Sequence, residues 1–259
     1  MQRLSKLSRS IAGRGALVTG AASGMGRATA HLFADEGAQV AVTDLEKDAV
    51  ARVVDEIRGA GGSARGWVLD VGSDSDVARV VPEIAEAFGR LDIVVNNAGI
   101  ARFSAIDGPD YVLHWNASLN VLLTAHTRVI RAALPHLRKS DAARIVNIAS
   151  TEALGATKYG SPYTAAKHGV VGLTRSLAVE LGPERITVNC ICPGPIRTGM
   201  TAAIPEEQKA AFAKRRTALL RYAEPEEVAH ATLSFCLPAA QYVTGAVLPV
   251  DGGLTIRNA

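Results

Sequence analysis

Cysteine is scarce, three in 259 residues, and an odd number without framework spacing excludes a disulfide-stapled scaffold. Cys190 and Cys192 stand in ITVNCICPG, a stretch that reads as a buried strand, where a thiol packs as a small hydrophobe. No metal site is expected there, nor at His114, His126 and His168, which are not grouped at ligand spacing. No apolar run approaches the roughly 18 residues that cross a bilayer, so a membrane-spanning chain is not expected. The formal net charge is only +3 and the basic residues are scattered, unlike the basic stripe of a nucleic-acid-binding surface. The first twelve residues, MQRLSKLSRSIA, carry Arg3, Lys6 and Arg9 but lack the apolar segment of a signal peptide. They read as a short basic arm, and a cytoplasmic location is expected.

Hydrophobic residues make up 48% and charged residues 20%, the balance of a globular chain able to bury a full core. Apolar, β-branched runs alternate with helix-period segments: GALVT, AQVAVT, ARGWVLD, LDIVVNN, RIVNIAS, RITVNCI and AVLPVD. Continuous apolar strands separated by helices predict an α/β fold, a single doubly wound Rossmann-type domain with a mostly parallel seven-stranded sheet flanked by helices. No linker or repeat divides residues 13–259. The one long excursion without a strand, from Pro195 to Glu224, reads as a substrate lid.

Between the first strand and its helix lies LVTGAASGMGRATA, with Gly20, Gly24 and Gly26 at the turn. Glycines there let the backbone approach a pyrophosphate, whose charge the helix N-terminus stabilises. Ser23 and Met25 fall between them and belong to the same expected cofactor-binding loop. Asp44 closes the second strand, followed by Leu45. A carboxylate there accepts hydrogen bonds from both ribose hydroxyls and repels a 2′-phosphate, and no arginine or lysine adjoins it to offset that repulsion. NAD is therefore expected as the cofactor.

In SPYTAAKHG, Ser161 and Pro162 supply a capping hydroxyl and a proline at the first helical position, predicting a helix that starts here. Tyr163 and Lys167 then share one face, a turn apart. With these pieces the chain resembles the short-chain dehydrogenase/reductase family from about residue 13 to 254. The resemblance is carried by TGAASGMG at 19–26, LDV at 69–71, NNAG at 96–99, IAS at 148–150, YTAAK at 163–167, PGPIRT at 193–198 and VTGAVLPVDGG at 243–253.

The resemblance implies an NAD-dependent oxidoreductase that moves a hydride between a secondary alcohol, or its ketone, and nicotinamide. Tyr163 would be the general acid/base, Lys167 its partner, and Ser150 the hydroxyl that holds the substrate oxygen. Asp70 and Val71 would flank the adenine, while Asn97, Ala98 and Gly99 would line the ribose side. Pro193, Gly194, Ile196 and Thr198 would hold the nicotinamide end, with Tyr163 and Lys167 reaching the cofactor too. Glu152, two residues past the serine, is a candidate substrate contact. The short tail after VDGG resembles members that form homotetramers.

A phenol titrates near 10, and bringing it to a neutral working pH takes roughly 3–4 kcal/mol. An ammonium about 5.5 Å away at an effective dielectric of about 20 supplies on the order of 3 kcal/mol. Lys167 is thus expected to do most of that work. One position departs from the family: counting back from Pro135 places Leu122 where a helix asparagine usually supports a proton-relay water. Asn120, two residues early, is turned by about 200° on a regular helix and should face away. Two further readings stay open, an NADPH-dependent 3-oxoacyl-thioester reductase and a nucleotide-binding scaffold or sensor with little turnover.

Overall fold

The structure, a computed structural model, describes residue 4 and residues 6–258, so Arg3 of the basic arm lies outside the described residues. Seven strands, β1 (Gly15–Thr19), β2 (Gln39–Asp44), β3 (Ser63–Val68), β4 (Ile93–Asn96), β5 (Arg144–Ile148), β6 (Thr187–Pro193) and β7 (Val247–Val250), make one sheet in the order β3-β2-β1-β4-β5-β6-β7. Every pairing is parallel, so the sheet is wholly rather than mostly so. All residues of β1, β4, β5 and β6 are buried, because helices cover both faces, and this is why they read as largely apolar runs. Pro249 is accommodated because β7 is an edge strand, where a missing N–H breaks no ladder.

One face is covered by α1 (Gly24–Asp35), α2 (Lys47–Gly59) and α8 (Pro225–Cys236), through Phe33, Val53, Ile57, Val228 and Phe235. The other carries α3 (Asp74–Phe88), α5 (Ala125–Leu137) and α6 (Ser161–Leu181), through Val80, Ile84, Val129, Ile130 and Leu181. From β1 the chain winds outward to β2 and β3, then returns to β4 on the other side. That reversal opens a crevice at the carboxyl ends of β1 and β4, where open α/β sheets bind ligands.

One local expectation is revised and two segments gain detail. Gly160, not Ser161, is the N-cap of α6; Ser161 and Pro162 are its first residues, and the Ser161 hydroxyl lies 3.0 Å from that of Tyr111. Packing begins inside the basic arm, since Ile11 is fully buried and the Ser8 carbonyl accepts the Ala239 amide at 2.8 Å. The excursion at 195–224 is helical, with α7 (Glu206–Arg216), and is pinched at its base by a parallel bridge between Ile196 and Ala223.

At the opposite end of β4, Asp92 is fully buried and ties the sheet's lower edge. It accepts Gly15 N–H at 2.9 Å, Arg90 at 2.6 and 2.8 Å and the Ser140 hydroxyl at 2.5 Å, while Arg14 joins through Asp141. Burial alone would raise its pKa, but Arg90, Ser140 and the Gly15 N–H together hold it below the ordinary value of 3.8. A lowered carboxyl contributes stability that is present above its unfolded pKa and lost as pH falls through the folded one. Asp92→Ala leaves the Gly15 N–H and the Ser140 hydroxyl without their acceptor and Arg90 without its closest carboxylate, and about 3 kcal/mol of stability is expected to disappear at pH 7. Urea unfolding at pH 7 and pH 3 checks this: the deficit against wild type should shrink at the lower pH.

Candidate active site

The glycine turn is built for close approach. Gly20 has φ +65°, and a Cβ on Gly26 would sit 2.0 Å from the Gly20 carbonyl oxygen, so neither position tolerates a side chain. Asn97 fastens this turn from β4, its amide donating to the carbonyls of Thr19 (2.9 Å) and Gly20 (3.1 Å). The Thr19 hydroxyl accepts the N–H groups of both Asn97 and Ala98 at 3.0 Å. α1 starts with no acidic residue in its first turn and no side-chain cap on its N-cap Ser23, leaving its leading N–H groups free for an anion.

Asp44 faces this turn from the end of β2. Its Oδ2 accepts Ala22 N–H at 3.0 Å and its Oδ1 accepts Leu45 N–H at 2.8 Å, which fixes the carboxylate while each oxygen keeps a lone pair for a ribose hydroxyl. Asp70 Oδ1 is similarly held by Gly72 N–H at 2.7 Å. From the far side Thr198 overlies the loop, its side chain 3.2 Å from where a Cβ on Gly24 would be.

Gly20, Gly24, Asp44, Asp70, Asn97 and Thr198 line one cleft of about 680 Å³, together with Ser23, Met25, Leu45, Val71, Ala98, Gly99, Pro193, Gly194 and Ile196. Of the residues singled out for the cofactor, only Gly26 does not line it, sitting beneath the turn as a spacer. The glycine turn, the free helix N-terminus and the Asp44 carboxylate fit a dinucleotide.

Ser150, Tyr163 and Lys167 meet at the other end of the same cleft. Ser150 follows β5 and its oxygen accepts Glu152 N–H at 3.1 Å, leaving the hydroxyl proton free to donate. Lys167 is buried, and its Nζ donates to the Ile148 carbonyl at 2.8 Å and lies 5.6 Å from the centre of the Tyr163 ring. Burial adds to the energetics a contribution that the charge separation alone leaves out. Burial pushes the phenol above 10, the Ser150 hydroxyl pulls it back and the Glu152 charge raises it again. Burial also brings Lys167 down to about 8. Burial of both groups thus opposes the ionisation that the lysine charge favours.

Glu152 lies outside the cleft lining. Its carboxylate accepts Thr157 N–H (2.9 Å) and the hydroxyls of Thr157 (2.6 Å) and Thr164 (2.7 Å), clamping the 154–160 loop onto α6. Leu122 does line the cleft, beside Gly99, within a π-helical turn (Asn120–Thr124) that joins α4 (Tyr111–Leu119) to α5. Asn120 points elsewhere, donating to the Gly72 carbonyl at 3.3 Å and accepting from Arg128 at 2.7 Å. Sequence reasoning missed Phe103, whose ring stacks on Tyr163 at 6.0 Å, and the lining residue Arg102, while Met200 and Thr201 bring the expected lid segment into the lining. Phe103 follows the NNAG motif by four residues, the only signal that could have marked it. Among the described residues no cluster could hold a metal ion, and no helix is long and apolar enough to cross a membrane.

A family model described as Enoyl-(Acyl carrier protein) reductase matches residues 20–255. The chain belongs to the short-chain dehydrogenase/reductase family. It is 40% identical over 252 residues to a cis-4-hydroxycyclohexanecarboxylate dehydrogenase of Sinomonas cyclohexanicum, covering 96% of this chain and 99% of the relative. It is 38% identical over 250 residues to a 3-oxoacyl-acyl-carrier-protein reductase of Thermotoga maritima, covering 95% and 99%. A short-chain type dehydrogenase/reductase crystal structure from Mycobacterium marinum superposes with a TM-score of 0.89 at 32% identity, over 96% of this chain and 98% of that one. As a short-chain dehydrogenase/reductase, the protein is an oxidoreductase that acts on a small molecule.

Proposed function

We infer that the protein is an NAD-dependent dehydrogenase acting on a secondary alcohol, or reducing the corresponding ketone, with Tyr163 as general acid/base. The observation that carries this is the presence of Asp44 at one end of a single cleft and Ser150, Tyr163 and Lys167 at the other. The glycine turn and the N-terminus of α1 would hold the pyrophosphate, Asp44 the adenosine ribose, Asp70 and Val71 the adenine, and the segment from Pro193 to Thr198 the nicotinamide end. Bound NAD supplies the acceptor or donor of the hydride. Ser150 donates a hydrogen bond to the substrate oxygen, strengthening it as negative charge develops there. Tyr163 takes the hydroxyl proton of an alcohol or returns it to a ketone, and Lys167 stabilises the ionised phenol while it is itself charged.

The likeness to the Thermotoga relative favours a second reading, NADPH-dependent reduction of a 3-oxoacyl thioester. Asp44 weighs against it, since Lys167 and Arg102 are the only cations lining the cleft among the described residues and neither adjoins Asp44 in sequence. Buried free cysteines support a cytoplasmic setting. A homotetramer would cover the exposed Val112, Leu113, Val179 and Tyr242. A panel of secondary alcohols with NAD and with NADP, followed by cofactor absorbance, tests the assignment. Turnover is expected with NAD. Preference for NADP with hydroxyacyl thioesters would select the second reading, and cofactor binding without turnover of any substrate would make the chain a nucleotide-binding sensor.

A further inference from the structure

His126 projects from α5 into the interior, 2% exposed, and neither ring nitrogen makes a well-formed hydrogen bond among the described residues. Asn147 of β5 approaches the imidazole closely enough to offer one nitrogen a weak side-chain hydrogen bond, which leaves the other unmatched. Asn147 Nδ2 donates to the Thr174 hydroxyl at 3.0 Å, and its Oδ1 accepts Asn96 Nδ2 at 2.9 Å. Asn96 Oδ1 is a further buried, unmatched acceptor. Unmatched groups on β4 and α5 thus flank one asparagine pair, the arrangement in which a buried water finds two to four partners.

Lys167 lies within electrostatic reach. Burial, and after it the lysine's charge, pushes His126 down to about 3, so the imidazole is neutral at any working pH. The ammonium has three N–H donors and, among the described residues, one hydrogen-bond acceptor, the Ile148 carbonyl. On the cleft side Leu122 offers it no polar atom. The titratable groups around Lys167 are Tyr163 on its own helix, Cys190 and Cys192 of β6 and His126 of α5; Lys167 is the charged group that acts on His126.

We propose that His126 is a positioning residue for Lys167, holding with Asn96 and Asn147 a buried water that gives the ammonium a second hydrogen-bond acceptor and keeps it charged. This rests on the reading of Tyr163 and Lys167 as the proton-transfer pair. An apolar side chain at 126 removes the acceptor and favours the neutral amine.

The test follows Lys167 through its 13Cε resonance in lysine-labelled protein, identified by its loss in Lys167→Arg, alongside the pH profile of kcat/KM. His126→Leu should titrate at a pH about one lower than wild type, a tenfold weaker proton affinity. The alkaline limb of kcat/KM should move down with it. His126→Gln, which keeps a donor and an acceptor, should restore both to near wild type. An unchanged titration in His126→Leu, in folded protein with unaltered cofactor affinity, overturns the proposal. So does a His126→Gln variant displaced as far as His126→Leu. The resonance is read without turnover, so a chain inactive on every alcohol contradicts the proposed function while the titration still decides the role of His126.

Discussion

Tyr163→Phe is expected to lower kcat by about 10³-fold, within the range a positioned proton-transfer group contributes, while leaving NAD affinity nearly unchanged. The substitution removes one oxygen. The ring that stacks against Phe103 remains, α6 keeps its packing, and Lys167 keeps the Ile148 carbonyl. The group that carries the proton is gone, and the nearby hydroxyl of Ser150 has no ammonium partner of its own. Stopped-flow cofactor binding and steady-state turnover on the same preparation separate the two effects. Turnover within tenfold of wild type would mean that another residue handles the proton.

The second large effect concerns cofactor choice. Asp44 presents a carboxylate held by two backbone N–H groups, and the adjoining Leu45 side chain is exposed. Against this charge a 2′-phosphate meets repulsion with no neighbouring cation to offset it. Asp44→Ala with Leu45→Arg removes the acceptor of the ribose diol and supplies a guanidinium suited to a phosphate. Hydrogen bonds to a charged group contribute about 1.5–3 kcal/mol each, so the ratio of NAD to NADP affinity should fall by about a hundredfold or more. Isothermal titration with both cofactors reads it directly. Equal affinities in the wild-type chain would remove Asp44 from its assigned role.

The strands were legible because helices cover both faces, so β1, β4, β5 and β6 are buried at every position and mostly apolar, with polar exceptions such as Asn96, Arg144, Asn147 and Asn189. The cofactor cleft was legible for a related reason: Gly20 and Gly26 stand where a Cβ cannot fit, so composition alone marks the turn. Side chains whose behaviour depends on distant partners were not legible. Glu152 reads as a pocket carboxylate until Thr157 and Thr164 are seen to occupy its oxygens. The Coulomb argument for Tyr163 left out the burial of phenol and ammonium, which is set by the whole fold and opposes the ionisation that argument favours. Leu122 and Asn120 were distinguishable by helical rotation, and they diverge as expected even across the π-helical turn.

The central claim is that this cleft passes hydride between a carbinol carbon and nicotinamide, with the proton moving separately. A single-turnover reaction of the best secondary alcohol, deuterated at the carbinol carbon, with excess NAD and NMR analysis of the reduced cofactor tests it most directly. The account predicts deuterium at C4 of the nicotinamide in every NADH formed, with no label lost to water, and no NADH from Tyr163→Phe on the same timescale. NADH lacking deuterium, or tight NAD binding with no NADH from any alcohol, would contradict it.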